Sequence, residues 1–377
     1  MSGTQEAGAP QAAAAWRPRL AAGAQVGPAR WDGQQVLTDV SVAGQERILR
    51  VGLRERMVLD LVDGTRTVPE MGAEIARQGL PLPEQVVGAT VNRLLAFGLV
   101  ERPFAMSAPT LDAIDRRAAV GADNLSEVWA VRGGSARNPF GFLAATPVLV
   151  LLAAVGIVAV VVGWTSADTA WAAVLAAPPV TGILPALAIA IAWSCGVTLL
   201  HEGAHVGTFR ALSGRRARLS VTRLGVVPLM NTQLDGLALL SRGRRFRVVA
   251  SGPVVSMALV SVPCVVLALA PPGSFLEVAA ATALLVDLLV VSLAVSFLPN
   301  TDGTRLLEVV ASVDQLQAVA FRTLTGRYAR PRGLPRGLPR GLPLVTRVVV
   351  VAYPFLLVAA VVSLLLAGAS ALAPALT

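Results

Sequence analysis

The stretch TLLHEGAHVG, residues 198–207, holds His201 and His205, the two histidines of the chain, with Glu202 between them. On a helix, positions i and i+4 share a face, so both imidazoles can offer a nitrogen to one metal ion. Glu202 is offset by one residue, which sets its carboxylate beside a metal-bound water rather than on the metal. This is the HExxH spacing, in which the Glu is the general base of zinc-dependent hydrolysis. A catalytic zinc site takes three protein ligands and keeps one position open. With no third histidine, the third ligand must be an Asp, a Glu or a Cys.

The residues before the motif, ILPALAIAIAWSCGVTLL, are apolar enough to lie in lipid. A charged Glu at the end of such a span is costly and marks function. The whole chain is 54% hydrophobic and 15% charged, too apolar for an ordinary soluble domain and too mixed for a wholly buried bundle. The expectation is an α-helical polytopic membrane protein with a soluble part. Runs of roughly 20 apolar residues suffice to span. They fall near 143–164, 181–208, 247–270, 276–299 and 347–368. TAWAAVLAAPPV is too short and proline-broken to be a sixth, and is placed at the interface.

The net charge is +9, and the basic residues are all arginines. They crowd two loops, Arg210 to Arg247 and Arg305 to Arg347, whereas the opposite loops carry only Asp168 and, at an edge, Glu277. The positive-inside rule then puts both arginine-rich loops, the N-terminal domain and the HEGAH end in the cytoplasm, and the C-terminus outside the cytoplasmic membrane. Cys195 and Cys264 lie in apolar segments and read as small core residues. The N-terminus has no basic region followed by an apolar core, so it is not a secretory signal.

Three acids compete to be the third ligand. Asp302, in VSFLPNTDGTRLLE, closes the fourth span on the same side as HEGAH, with Gly303 following for a tight turn. Asp287 is in the same span but about 22 Å away along a helix. Glu308 lies beyond the turn. A turn can fold a carboxylate back toward the histidines, and this favours Asp302.

Residues 1–30 read as a flexible Ala/Gly/Pro arm, and 31–104 as a small α+β domain. VLTDVSV and RILRV suggest a hairpin across Ala43-Gly44. LRERMVLDLVDG reads as a helix, and TVPE is a capping box from Thr67 to Glu70 that opens a second one. A third runs from Pro83 to Phe97, with Val87, Val91, Leu94 and Leu95 inward and Gly98 as its stop; LVERP leaves as a short strand. This order is winged-helix-like. The third helix carries only Arg93 as a base, which argues against nucleic acid as the partner. Residues 105–140 are a linker in which 110–120 can form an amphipathic helix. The membrane domain is 141–377. Within it PRGLPRGLPRGLP excludes a helix and reads as an extended spacer.

HEGAH in an apolar helix, SGPVVS at 251–256 and LPNTDG at 298–303 resemble the site-2 protease family of intramembrane zinc metallopeptidases. The resemblance covers roughly 180–310. It implies a three-helix catalytic core, zinc on His201, His205 and Asp302, water activation by Glu202 and a structural Gly252-Pro253 element. It also implies that Asn300 meets the substrate or its oxyanion, although Thr301 stands where the family commonly has proline. In the family, the place of RLSVTRLGVVPLMNTQLDG, 218–236, holds membrane-associated strands that present substrate in extended form; a re-entrant loop is the other reading. The front domain resembles the leader-recognition domains of peptide-maturation enzymes, on VLDLVDGTRTVPEMGAEIA and VNRLLAFGLVE. The combination implies a peptidase that removes the leader of a precursor peptide. The rivals are cleavage of a membrane-anchored signalling protein, a non-catalytic metal-binding transporter or immunity protein, and a membrane-tethered DNA-binding regulator.

Overall fold

A computed structural model describes residues 16–32, 35–43, 47–101, 138–215, 217–224, 227–325 and 343–372. Two compact units divide the chain, with the boundary between Ser126 and Glu127. The predicted helix at 110–120 and nearly all of the proline repeat lie outside the described residues.

In the first unit the alternation of VLTDVSV becomes strand β3 (Val36–Val42), paired antiparallel with β4 (Ile48–Gly52). The N-terminal segment departs from the expected arm. β1 (Ala24–Val26) and β2 (Arg30–Trp31) both pair with β3 along the edge opposite β4. Strands of three and two residues are too short to show a period, so composition alone suggested an arm. Helices α1 (Leu53–Asp60), α2 (Val68–Arg77) and α3 (Glu84–Ala96) follow. The capping box forms: the Thr67 amide donates to Glu70 Oε2 at 2.8 Å. That hydrogen bond holds the exposed Glu70 carboxyl below its ordinary value. The inward residues predicted for α3 are all buried, and they join Val40, Val58, Leu59, Met71 and Ile75 in one core. Fully burying each such side chain stabilises by roughly 1.5–3 kcal/mol. Of LVERP, Leu99–Glu101 are described and form no strand, although Val100 makes an isolated bridge with Leu20; the rest lies outside the described residues.

Asp39 ties this sheet together. Its carboxylate meets Arg30 at 3.2 Å and Arg50, its cross-strand partner, at 2.9 Å. Burial pushes the Asp39 carboxyl up, but the bonds and charges of Arg50 and Arg30 outweigh it and hold the group below its ordinary value. A carboxyl depressed on folding contributes stability above its unfolded pKa, near pH 4, and loses it as pH falls through the folded value. Thermal unfolding of the first unit in the intact protein should therefore show an acid limb below about pH 4 that is flattened in Asp39→Asn. An unchanged limb would assign it to other carboxylates.

The second unit is helical: α4 (Thr146–Thr165), α5 (Ala167–Ala176), α6 (Leu184–Ser213), α7 (Arg242–Leu259), α8 (Ser261–Leu269), α9 (Phe275–Val295), α10 (Asp302–Ala311), α11 (Leu316–Thr325) and α12 (Leu344–Leu372). A hairpin of β5 (Arg218–Leu224) and β6 (Val227–Gln233) joins α6 to α7. Of the two readings of 218–236, strands are the one observed. Five segments are long and apolar enough to cross a membrane: Thr146–Thr165, Pro179–Ser213, Arg242–Leu269, Phe275–Val295 and Leu344–Ser363. They lie close to the five expected. α9 is the centre of the bundle, since 56% of its apolar window is buried against 17–28% for the others. It ends four residues before the predicted 299, because Pro299 disfavours helical backbone in the residue before it. The TAWAAVLAAPPV segment is mostly helical as α5, which packs on α9 through Ala170.

Candidate metal centre

Two antiparallel helices build the centre. The i, i+4 pair on α6 projects His201 and His205 toward α7. A stripe at i, i+4 and i+8 on α7, Val248, Gly252 and Ser256, meets them. His205 Nδ1 lies 2.8 Å from the Val248 carbonyl oxygen, and His201 Nδ1 lies 2.8 Å from Ser256 Oγ. A carbonyl only accepts, so His205 Nδ1 carries a proton, and its neutral ring presents a lone pair at Nε2. Such partners fix tautomer and ring orientation in metal-binding histidines. Gly252 supplies the room. A Cβ there would lie 2.3 Å from His205 Nε2 and 2.7 Å from His201 Nε2.

The third group arrives from a distant part of the chain. Asp302 Oδ2 is 2.9 Å from His201 Nε2, Oδ1 is 3.5 Å from His205 Nε2, and the two Nε2 atoms are 3.2 Å apart. Zinc–nitrogen and zinc–oxygen bonds of about 2.0–2.1 Å in a tetrahedron set neighbouring ligand atoms about 3.3 Å apart. The donor types and spacings thus fit zinc, with a cradle at Gly252 that a Cβ would fill.

The turn between α9 and α10 delivers Asp302. The single hydroxyl proton of Thr301 is shared between the carbonyls of Ser296 at 2.6 Å and Leu298 at 2.8 Å, and Thr304 Oγ1 donates to Leu298 at 2.7 Å. Thr301 also caps α10, accepting from the Thr304 amide at 3.4 Å. The threonine in the proline's place therefore has a structural task. Gly303 is needed for close approach: a Cβ would meet the Ser296 carbonyl oxygen at 2.2 Å. Asn300 is exposed, with φ at 64°. Asn tolerates the left-handed region, which accounts for the residue type without a substrate contact.

The rival ligands go elsewhere. Asp287 is buried and accepts from Trp193 Nε1 at 2.7 Å. Trp193 precedes His201 by two helical turns, about 12 Å of rise. Glu308 accepts from the Leu316 amide at 2.9 Å, and its burial pushes its carboxyl up. Cys195 and Cys264 are free thiols outside the cluster of His201, His205 and Asp302. Comparison of the chain with family models, curated proteins and solved structures returns no match.

Glu202 is half-buried, and its Oε2 accepts from the hydroxyl of Thr232 on β6. The motif also has support behind it that the sequence analysis did not identify. Asn138 Nδ2 donates to the Gly207 carbonyl at 2.7 Å, and a Cβ at Gly203 or Gly207 would strike Phe140 at 2.8 or 2.4 Å. The GxxxG spacing within HEGAHVG was the available signal, since small residues four apart admit a close neighbour.

Proposed function

We propose that this chain is a membrane-embedded zinc metallopeptidase that hydrolyses a peptide bond in a precursor peptide, removing its leader during modified-peptide biosynthesis. The observation that carries this reading is the convergence of His201, His205 and Asp302 from two helices about a hundred residues apart, with Glu202 beside them. Bound zinc would supply Lewis acidity and a water nucleophile near neutral pH. Glu202 takes the proton of the attacking water and returns it to the leaving amine. His201, His205 and Asp302 hold the metal, while Val248 and Ser256 hold the rings. The winged-helix-like first unit receives the leader as an added strand, and β4, which pairs only with β3 among the described strands, offers an edge for it. The arginine bias places this unit and the metal end in the cytoplasm.

The test is the metal content of the protein purified without chelator, wild type beside Asp302→Ala, with cleavage of a precursor peptide. Stoichiometric zinc in the wild type, lost in the variant together with cleavage, supports the reading. Zinc retained in Asp302→Ala moves the third ligand elsewhere. No metal in the wild type overturns the peptidase. Cleavage of a single-span signalling substrate, with the precursor left intact, would replace leader removal with regulated intramembrane proteolysis.

A further inference from the structure

Glu202 must keep one carboxylate oxygen pointed at the attacking water, yet it stands on the end of a long flexible side chain. Among the described residues, its hydrogen-bond partner is Thr232, whose hydroxyl donates to Oε2 and leaves Oε1 for the water. Thr is stiff at χ1, so the position of its hydroxyl follows the backbone of β6. That backbone packs on α6 but belongs to none of the bundle's helices. It is the second strand of a two-stranded sheet, Thr232 opposite Leu219, inserted between α6 and α7.

We propose that Thr232 is a positioning residue for Glu202. The proposal rests on the peptidase reading. The backbone of β6 seats the Thr232 hydroxyl on the carboxylate and so keeps the other carboxylate oxygen aimed at the water.

Thr232→Val removes the hydroxyl and keeps the branched shape, and Thr232→Ser restores the donor. Both are compared with wild type for zinc content, kcat and KM on the precursor peptide. The expected result is full zinc in both variants and KM within about twofold. Turnover should fall about 10- to 100-fold in Thr232→Val and recover most of the way in Thr232→Ser. Wild-type turnover in Thr232→Val overturns the proposal. So does an equal loss in both variants, or a loss of zinc, since either assigns Thr232 to folding. If the wild type holds zinc and cuts nothing, the peptidase reading fails instead. The contact is then decided by the infrared carboxylate band that Glu202→Gln removes. A shift of that band in Thr232→Val but not in Thr232→Ser supports the positioning role, and no shift overturns it.

Discussion

Glu202→Gln is expected to retain zinc and to lose roughly 10²–10⁴ in turnover, the usual worth of a positioned general base. Gln matches Glu in shape and in helix propensity, so α6 is undisturbed. The candidate metal donors His201, His205 and Asp302 are untouched, and the side-chain oxygen of Gln still accepts from the Thr232 hydroxyl. What the amide cannot do is take a proton from water. Turnover on the precursor peptide and zinc content, measured on one preparation, separate the two contributions. Full turnover in the variant would place the base elsewhere. Full biological function without any turnover would move the protein to the non-catalytic metal-binding class.

Gly252→Ala is expected to weaken zinc binding by about 100-fold or to abolish it, the upper end of what disturbing the support of metal ligands does. The new Cβ would stand 2.3 Å from one ligating nitrogen and 2.7 Å from the other. Neither ring can swing away freely, because Val248 and Ser256 on the same helix as Gly252 hold the opposite nitrogens. The variant must therefore break those bonds or push α7 off α6. Gly243→Ala is the control, on the same helix with nothing within 4 Å of the added carbon. Alanine there should be neutral or slightly stabilising. Competition with a chromophoric chelator reads both affinities. Equal affinity in Gly252→Ala and wild type would mean that the imidazoles do not rely on this close approach.

Much of the centre was legible in one dimension. His201, Glu202 and His205 lie within one and a half turns of one helix, so their relative directions follow from the helical period. Asp302 was reachable by a second step, since alternating spans put its end of the chain on the same side as HEGAH. The hairpin of β3 and β4 and the buried face of α3 followed from period-two and period-3.6 patterns over 7 and 13 residues. β1 and β2 were not legible, because their pairing is decided by the partner strand β3 and leaves no local pattern.

The sequence by itself determined the candidate ligand types, their spacing, the apolar segments and that the distant carboxylate lies at the same end as HEGAH. These depend on side-chain chemistry and on local periodicity. Only the tertiary structure decided that Gly252 gives way to the imidazoles and that Ser256 and the Val248 carbonyl orient them. It also decided that Asp302, rather than Asp287, joins the two histidines, and that Thr232 reaches Glu202. Each of these is a contact between segments far apart in the chain, set by how the helices and the hairpin pack. No local period in the sequence encodes such packing.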